Sequence, residues 1–493
     1  MKKFKVLYLA SEVAPFSKAG GLADVIGALP KSLKGLNQEI RMMIPKYKFI
    51  NERKYVLREV IRLREIPVEL NGQQKVASVK SAFLPDSKVQ IYFIEIEDYF
   101  NRPGIYTDPK TNKPYEDNAE RFAFFAKAAL ETLKKLSWQP EIIHCNDWQT
   151  AFVPVYLKTE YMNDPFFKGV KTVYTIHNLT SQGEFETDMA KKIDFDESQT
   201  QEGGMFNKEG KLNLTKGAIY FSDFISTVSE NYAHEILEDS TLGFGFSKLL
   251  QDKEDKFEGI LNGVDYSVWS PDNDKLIPYR YDKEKMDGKT ENKKTLLNRL
   301  GLTYDEKIPL FGMVSKISKH KGIDIILDSI DALMKMKIQL IIYGDGDRDL
   351  VKALMKKGEQ YKDKMVVNVT YDDKIEHLIL AGSDFYLMPS KYEPCGLNQI
   401  YSLRYATIPL VSAAGGLFDT VEDIDMDEGD GTGFLVEPLD KANMVEAVQR
   451  AVKLYENKEL FNKIRQEIMD EDFSWDISAK RYVDVYDRLV NEE

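Results

Sequence analysis

Five short segments gather the side chains and backbone freedom that an anion or a sugar would need. Ser17-Lys18-Ala19-Gly20-Gly21-Leu22 places two glycines and a lysine just ahead of an apolar helical run. Consecutive glycines let backbone N–H groups approach an anion at a helix N-terminus, and Lys18 adds charge. Without a ligand, the same residues make a tight strand-to-helix turn with an exposed lysine. Ala414-Gly415-Gly416-Leu417 repeats the device in the second half, and the matching placement points to one ligand served by both glycine pairs. Ser315–Gly322 sets Lys316, Lys319, His320 and Lys321 after an apolar run. That composition suits phosphate, or else a solvated basic loop. His177 closes the run Thr172–Ile176, as a base, a hydroxyl partner or a packed structural histidine. Glu393, in Glu393-Pro394-Cys395-Gly396-Leu397, offers a carboxylate for sugar hydroxyls or for catalysis, or a cap for the following helix.

Two nucleotide motifs fail on inspection. The Gly288-Lys289-Thr290 triplet has Lys283 where a P-loop needs its first glycine. Gly344-Asp345-Gly346-Asp347 has Asp349 where a dinucleotide fingerprint needs its third. P-loop and NAD chemistry are both disfavoured.

The elements that must hold these segments alternate between strand-like and helix-like runs. In the first half, Val6–Ala10 is a predicted strand, and Leu22, Val25, Ile26, Leu29, Leu33 and Leu36 recur at helical spacing. Val89–Ile94, Glu141–His144, Thr172–Ile176 and Phe224–Val228 read as strands, with a helix over about 117–136. In the second half, Pro309–Val314, Gln339–Tyr343, Met365–Val369, Phe385–Met388 and Pro409–Val411 read as strands. Ile323–Met334, Ile375–Ala381, Gly396–Tyr405 and Asn443–Tyr455 read as the helices between them. Short apolar strands alternating with helices predict parallel sheets covered on both faces. At 493 residues the chain is too long for one core, so two doubly wound domains are expected. Their boundary is placed near Glu258–Pro271. Tyr279–Asn298, rich in Lys, Asp and Glu, reads as a solvated surface and a rival boundary. In such sheets ligands sit beyond the carboxyl ends of the strands, where the five segments fall.

Bulk composition narrows the partners. A formal net charge of −13 disfavours nucleic acid. Two cysteines, Cys145 and Cys395, with no CxxC pair, argue against a disulfide framework or structural zinc and fit a reducing compartment. The basic start is followed by an apolar run too short for a signal peptide, and no stretch approaches the ~18 apolar residues of a membrane helix. The cytoplasm is the expected location, with no membrane partner.

Taken in order, Lys18-Ala-Gly-Gly-Leu22, Asp147-Trp148, Thr175-Ile-His-Asn178, Asn262-Gly-Val-Asp265, Val314-Ser-Lys316, His320-Lys-Gly322, Glu393-Pro-Cys-Gly-Leu397, and Gly415-Gly-Leu417 with Asp419-Thr-Val421 resemble the bacterial glycogen synthases and plant starch synthases. These form family 5 of the retaining glycosyltransferases. The resemblance runs from residue 4 to about 480. It implies the GT-B fold, two Rossmann-like doubly wound domains with the active site in the cleft between them. The implied division is 1–258, the acceptor side; 259–473, the nucleotide-sugar side; and 474–493, a helix crossing back to the first domain.

The implied reaction transfers glucose from ADP-glucose, or in some members UDP-glucose, to the non-reducing 4-hydroxyl of an α-1,4-glucan such as glycogen. Configuration is retained, and neither a metal nor a bound cofactor takes part. By the same resemblance, Lys18, Gly20 and Gly21 lie near the donor phosphates and sugar, and Lys316 and Lys321 neutralise the departing diphosphate. His177 meets the glucose 6-hydroxyl, and Glu393 holds the 3- and 4-hydroxyls. Cys395, Gly396, Leu397, Gly415, Gly416 and Leu417 line the sugar and phosphate, and Tyr371 stacks on the base. Asp24, Asp117, Asn118 and Asn262 match positions that orient donor or acceptor. The sequence departs from the family at Lys316, usually arginine, at His144-Cys-Asn-Asp-Trp-Gln149, usually His-Ala-His-Asp-Trp-His, and at Ser181, often aromatic. Another GT-B glucosyltransferase, or a catalytically silent glucan-binding relative, are the alternative readings.

Overall fold

The computed structural model describes residues 2–370 and 372–491. They form two units. The first comprises residues 2–228, 233–263 and 475–491, and the second residues 229–232 and 264–474. The division thus falls after Gly263, not at 258/259, and residues 229–232 go with the second unit.

The first unit is built on a ten-stranded sheet. Its parallel part runs, in spatial order, Phe257–Gly259, Phe224–Thr227, Lys171–Ile176, Ile142–Asn146, Lys5–Leu9, Glu39–Pro45 and Gln90–Glu95. The strand Lys5–Leu9 is central and buried along Val6–Leu9, the near-continuous apolar run of a strand covered on both faces. It pairs with Glu39–Pro45 on one side and with Ile142–Asn146 on the other, in the register Val6↔Ile142 and Leu9↔Cys145. The chain therefore leaves the first strand toward one edge and returns to its opposite side. This reversal is the topological switch point where doubly wound sheets bind ligands. An antiparallel extension completes the sheet: Gln73–Phe83 pairs with Gln90–Glu95, and Arg58–Glu59 and Ile66–Leu70 pair with Gln73–Phe83. Its strands alternate exposed and buried residues, with Ile66, Val68 and Leu70 turned inward.

The second unit has a six-stranded parallel sheet in the order Met365–Asn368, Gln339–Tyr343, Leu310–Val314, Phe385–Met388, Ile408–Ser412, Phe434–Val436. The period-two alternation of strand side chains splits its core in two. Phe311, Met313, Leu340, Ile342, Phe385 and Leu387 pack on one face. Leu310, Val314, Ile341, Tyr343 and Tyr386 pack on the other. Here the switch point lies between Leu310–Val314 and Phe385–Met388, which are sequence-distant neighbours.

The segment 279–298 corrects the sequence reading. It holds the helix Asp287–Arg299, whose inner face buries Lys289, Asn292, Lys293, Leu296 and Leu297. Lys289 Nζ donates to Tyr405 O at 2.7 Å and Thr407 Oγ1 at 2.6 Å. Lys293 Nζ meets Asp384 Oδ2 at 2.6 Å. Two lysines occupy the apolar stripe because acceptors wait for them inside. The closing helix, Trp475–Asn491, belongs to the first unit. Tyr486 OH bonds to Tyr8 OH at 2.7 Å and His144 Nδ1 at 2.8 Å, and Arg481 and Arg488 each reach Glu258 at 2.7 Å.

Candidate active site

In the first unit, three loops leave the carboxyl ends of adjacent parallel strands. After Lys5–Leu9 come Ser11 to Gly21. Gly21 precedes the helix Leu22–Gly35, which buries Val25, Ile26, Leu29 and Leu33 at helical spacing. Lys18 is exposed, and its Nζ pairs with Asp24 of this helix at 2.9 Å. Gly20 and Gly21 have ordinary negative φ, and a Cβ on either would meet nothing within 4 Å. The fold does not require glycine at either position. The amides of Ala19 and Gly20 both donate to Oε2 of Glu12, that of Gly20 at 3.1 Å.

After Ile142–Asn146 comes Asp147, at φ 55°. Its Oδ1 accepts the His177 amide at 2.8 Å, and the Asn178 amide also donates to this carboxylate. Desolvation pushes the Asp147 carboxyl up to about 7 against these two bonds, with Glu12 adding repulsion. His177 follows Lys171–Ile176. Desolvation drives its imidazole down to about 3, so the ring is neutral at pH 7. Its Nε2 lies 2.9 Å from Asn146 Oδ1. Asn146 spends its amide hydrogens on Leu9 O at 2.9 Å and His144 O at 3.4 Å, two carbonyls that only accept. Oδ1 therefore accepts from Nε2–H, and Nδ1 of His177 carries the lone pair.

Asp117 and Asn118 open the helix Asn118–Leu136, and the fold employs both. Asp117 takes both Arg102 nitrogens at 2.6 Å, and Arg102 holds its carboxyl below the usual range against the upward pull of partial burial. Asn118 donates to Tyr106 O at 3.0 Å and accepts from Arg121 Nη1 at 3.1 Å. Asn262 is buried just past the strand Phe257–Gly259, its amide on Val228 O at 3.3 Å.

In the second unit, the switch point brings together Lys321, Glu393 and, by sequence, Lys316. Lys321 follows Leu310–Val314 and Glu393 follows Phe385–Met388. Lys321 Nζ lies 2.5 Å from Glu393 Oε2, which also accepts from Ser390 Oγ at 3.1 Å. Glu393 is 7% exposed, so its end of the ion pair is buried while Lys321 remains partly exposed. Lys316 is exposed and, among the described residues, makes no ion pair. Gly322, at φ 70°, is required: a Cβ there would sit 1.8 Å from Pro389 O. Gly344 and Gly346 likewise admit the backbone of Ser315 and Ile317. The Gly-Asp-Gly-Asp segment thus buttresses the lysine loop.

Gly396, Gly415 and Gly416 also answer to the fold. Gly415 has φ 46°, and its Cβ would lie 2.0 Å from Glu393 O; that of Gly416 would lie 2.3 Å from Cys395 O. The Gly416 amide donates to Glu393 O and Pro394 O, and the Leu417 amide to Ala414 O. These two glycines press one loop onto another and so set the height of Glu393. Gly396, at φ 70°, faces Gln399, whose Nε2 returns to Cys395 O at 3.0 Å. Leu397 precedes the helix Asn398–Arg404, and Cys395 and Leu417 are buried. Tyr371 lies outside the described residues.

Residues 5–252 match the starch synthase catalytic domain and residues 298–467 the glycosyl transferases group 1 domain. The glycogen synthase of Chlorobaculum tepidum is 38% identical over 99% of both chains. That of Koribacter versatilis is 39% identical over 98% of both. The chain belongs to the glycogen and starch synthase family. It is a hexosyltransferase of glycogen or starch synthesis with the GT-B fold. The catalytic domain of starch synthase IV from Arabidopsis thaliana, bound to ADP and acarbose, superposes with a TM-score of 0.90 at 29% identity over 100% of both chains. A sucrose-phosphate synthase from Thermosynechococcus elongatus, at TM-score 0.60 and 17% identity, shares the fold. Among the described residues no helix is long and apolar enough to cross a membrane.

Against this family background, three residues stand out that the sequence reading did not assign: Glu12, Tyr106 and Asn146. A buried glutamate in a loop and a tyrosine 94 positions later have no spacing rule that joins them. Asn146 differs from the family's usual histidine, but only the structure shows its oxygen turned to His177.

Proposed function

We propose that this family member transfers glucose from ADP-glucose to the 4-hydroxyl at the non-reducing end of an α-1,4-glucan, with retention of configuration and without a metal. The observation that carries the reading is the Lys321–Glu393 ion pair at the second unit's switch point, with Lys316 exposed on the same loop. A leaving diphosphate gains negative charge as the anomeric C–O bond breaks, and fixed cations stabilise that charge. The sugar ring gains positive charge in the same step, and the Glu393 carboxylate is its counterpart. The acceptor oxygen forms the new bond to the anomeric carbon on the face the phosphate leaves, and its proton passes to the departing phosphate oxygen. No protein nucleophile is needed.

In the first unit, the space above Gly20 and Gly21 suits a phosphate or sugar, since nothing in the fold fills it. Lys18, oriented by Asp24, supplies charge there. His177 accepts a sugar hydroxyl at Nδ1. ADP in the Arabidopsis relative favours ADP-glucose over UDP-glucose as donor. Glucan chains extended from labelled ADP-glucose test the reading: the label should enter glycogen and be released by an exo-acting α-1,4-glucan hydrolase. Label that stays resistant would mean a different linkage, and no label a different activity.

A further inference from the structure

The Lys18–Gly21 loop carries an anion of its own. Glu12 is 3% exposed, yet its carboxylate faces inward to the loop and not outward to solvent. Oε2 accepts the amides of Ala19 and Gly20. Oε1 accepts the Tyr106 hydroxyl at 3.0 Å, and Tyr106 OH lies 2.6 Å from Ser11 Oγ, which serves it as donor. Ser11 is fixed in turn through its carbonyl, which accepts Tyr47 OH at 2.7 Å. The Tyr106 carbonyl is held by Asn118 Nδ2, and Asn118 by Arg121, which is fully buried. One continuous chain of hydrogen bonds thus runs from the helix Asn118–Leu136 through Tyr106 and Glu12 into the glycine loop.

This arrangement changes what the glycine loop does. Two adjacent amides that the sequence pattern offers to a phosphate are already engaged, by a carboxylate of the same chain. The carbonyls of Gly20 and Gly21 are held by the amides of Ala23, Asp24 and Val25, while the side-chain positions of both glycines face empty space. The Glu12 carboxylate holds the amide side of the loop, at Ala19 and Gly20, and it does so without filling the open side of Gly20 and Gly21.

We infer that Glu12 is a positioning residue: its carboxylate holds the backbone of Ala19 and Gly20 so that Lys18 and the open face of Gly20–Gly21 present one fixed surface to the donor's diphosphate and sugar. The inference rests on the proposed donor site. Charged hydrogen bonds to a buried carboxylate are the strong class, so losing two at once frees the loop. Burial raises the Glu12 carboxyl, Asp24 adds to the rise, and the two amides and Tyr106 oppose it. The other ionisable neighbours are Asp147, Tyr47 and Tyr106, with Lys18 paired to Asp24.

The test uses the full chain with Glu12→Ala, Glu12→Gln and Tyr106→Phe, read two ways. Hydrogen exchange on the resting protein should show the Ala19 and Gly20 amides exchanging at least tenfold faster in Glu12→Ala, with Glu12→Gln close to wild type. Kinetics should show KM for ADP-glucose raised tenfold or more in Glu12→Ala and KM for glycogen within twofold. Glu12→Gln, which keeps an acceptor oxygen for the two amides, should recover most of the loss. Tyr106→Phe, which removes one hydroxyl, should move the donor KM the same way by a few-fold. Unchanged exchange at Ala19 and Gly20 in a folded Glu12→Ala protein would overturn the inference. So would faster exchange with an unaltered donor KM. A wild type that transfers glucose from no nucleotide donor would sink the functional reading instead, and the exchange result would still decide whether Glu12 holds the loop.

Discussion

At the scale of single residues, each unit pairs a loop lysine with a carboxylate, and the second adds a lysine without one. Lys18 and Lys321 are each paired with a carboxylate, Asp24 and Glu393, whereas Lys316 has no acidic partner among the described residues. An unpaired cation gives up no partner when the diphosphate charge develops. Lys316→Ala should therefore lower kcat/KM by roughly ten- to a hundredfold, the worth of one charged hydrogen bond. Lys316→Arg should keep or raise activity, since its planar fork can grip two phosphate oxygens. Steady-state kinetics of both variants decides this, and an indifferent Lys316→Ala would leave the role to Lys321.

His177 gives a prediction whose sign follows from its protonation. Its imidazole sits at about 3, far below the ordinary value, so it stays neutral and Nδ1 accepts at any pH near neutrality. Wild-type kcat should show no inflection from this ring between about pH 5 and 9. Asn146→Asp would put a carboxylate beside Nε2 and raise the imidazole. Below that raised value both ring nitrogens carry protons and Nδ1 no longer accepts. The variant's kcat should thus fall as pH drops through about 6.5, where the wild type does not. A flat profile in folded Asn146→Asp would deny His177 its hydroxyl-accepting role.

At the scale of elements, the glycines separate into two kinds that look identical in sequence. Gly21 has φ −64° and ψ −22° with open space around it, so Gly21→Ala should fold and gain about 0.4–1 kcal/mol. It should nevertheless lose at least tenfold in activity, because the new methyl occupies the donor's space. Gly415→Ala should instead destabilise the second unit by ~2 kcal/mol or more, since its φ is 46° and Glu393 O stands 2.0 Å from the added carbon. Urea unfolding beside activity assays distinguishes them; a fully active Gly21→Ala would mean nothing packs there.

The same pair shows how far the sequence was legible. Motif and position identified both loops, because a glycine pair after an apolar strand run is a local signal. Whether a glycine serves a ligand or a neighbouring backbone depends on Glu393, a contact made across the sheet, which no local pattern records. The alternating runs likewise disclosed most of the parallel strands, though not Glu39–Pro45, Phe257–Gly259 or Phe434–Val436, nor the helix Arg348–Gln360. The antiparallel strands at 58–83 escaped notice, as did the helix Asp287–Arg299, whose lysines occupy an inner stripe that pattern reading assigns to solvent.

At the scale of the whole molecule, the two sheets repeat one design. Each begins with a central strand, builds to one side, and returns to the other, so that each acquires a single switch point. The residues the sequence singled out gather there: Lys18 and His177 in the first unit, Lys321 and Glu393 in the second. The closing helix Trp475–Asn491 returns to the first unit because Tyr486 finds Tyr8 and His144, and Arg481 and Arg488 find Glu258. The helix was visible in sequence; its partners, hundreds of positions upstream, were not.

Membership in the glycogen and starch synthases fixes the class of reaction, and the identity of the donor is the claim on which the rest of the account depends. It is tested most directly by comparing kcat/KM for ADP-glucose and UDP-glucose with glycogen as the common acceptor and the purified full-length chain. The account predicts glucose transfer from ADP-glucose at least tenfold more efficient than from UDP-glucose. Transfer from UDP-glucose tenfold better, or no transfer from either, would contradict it.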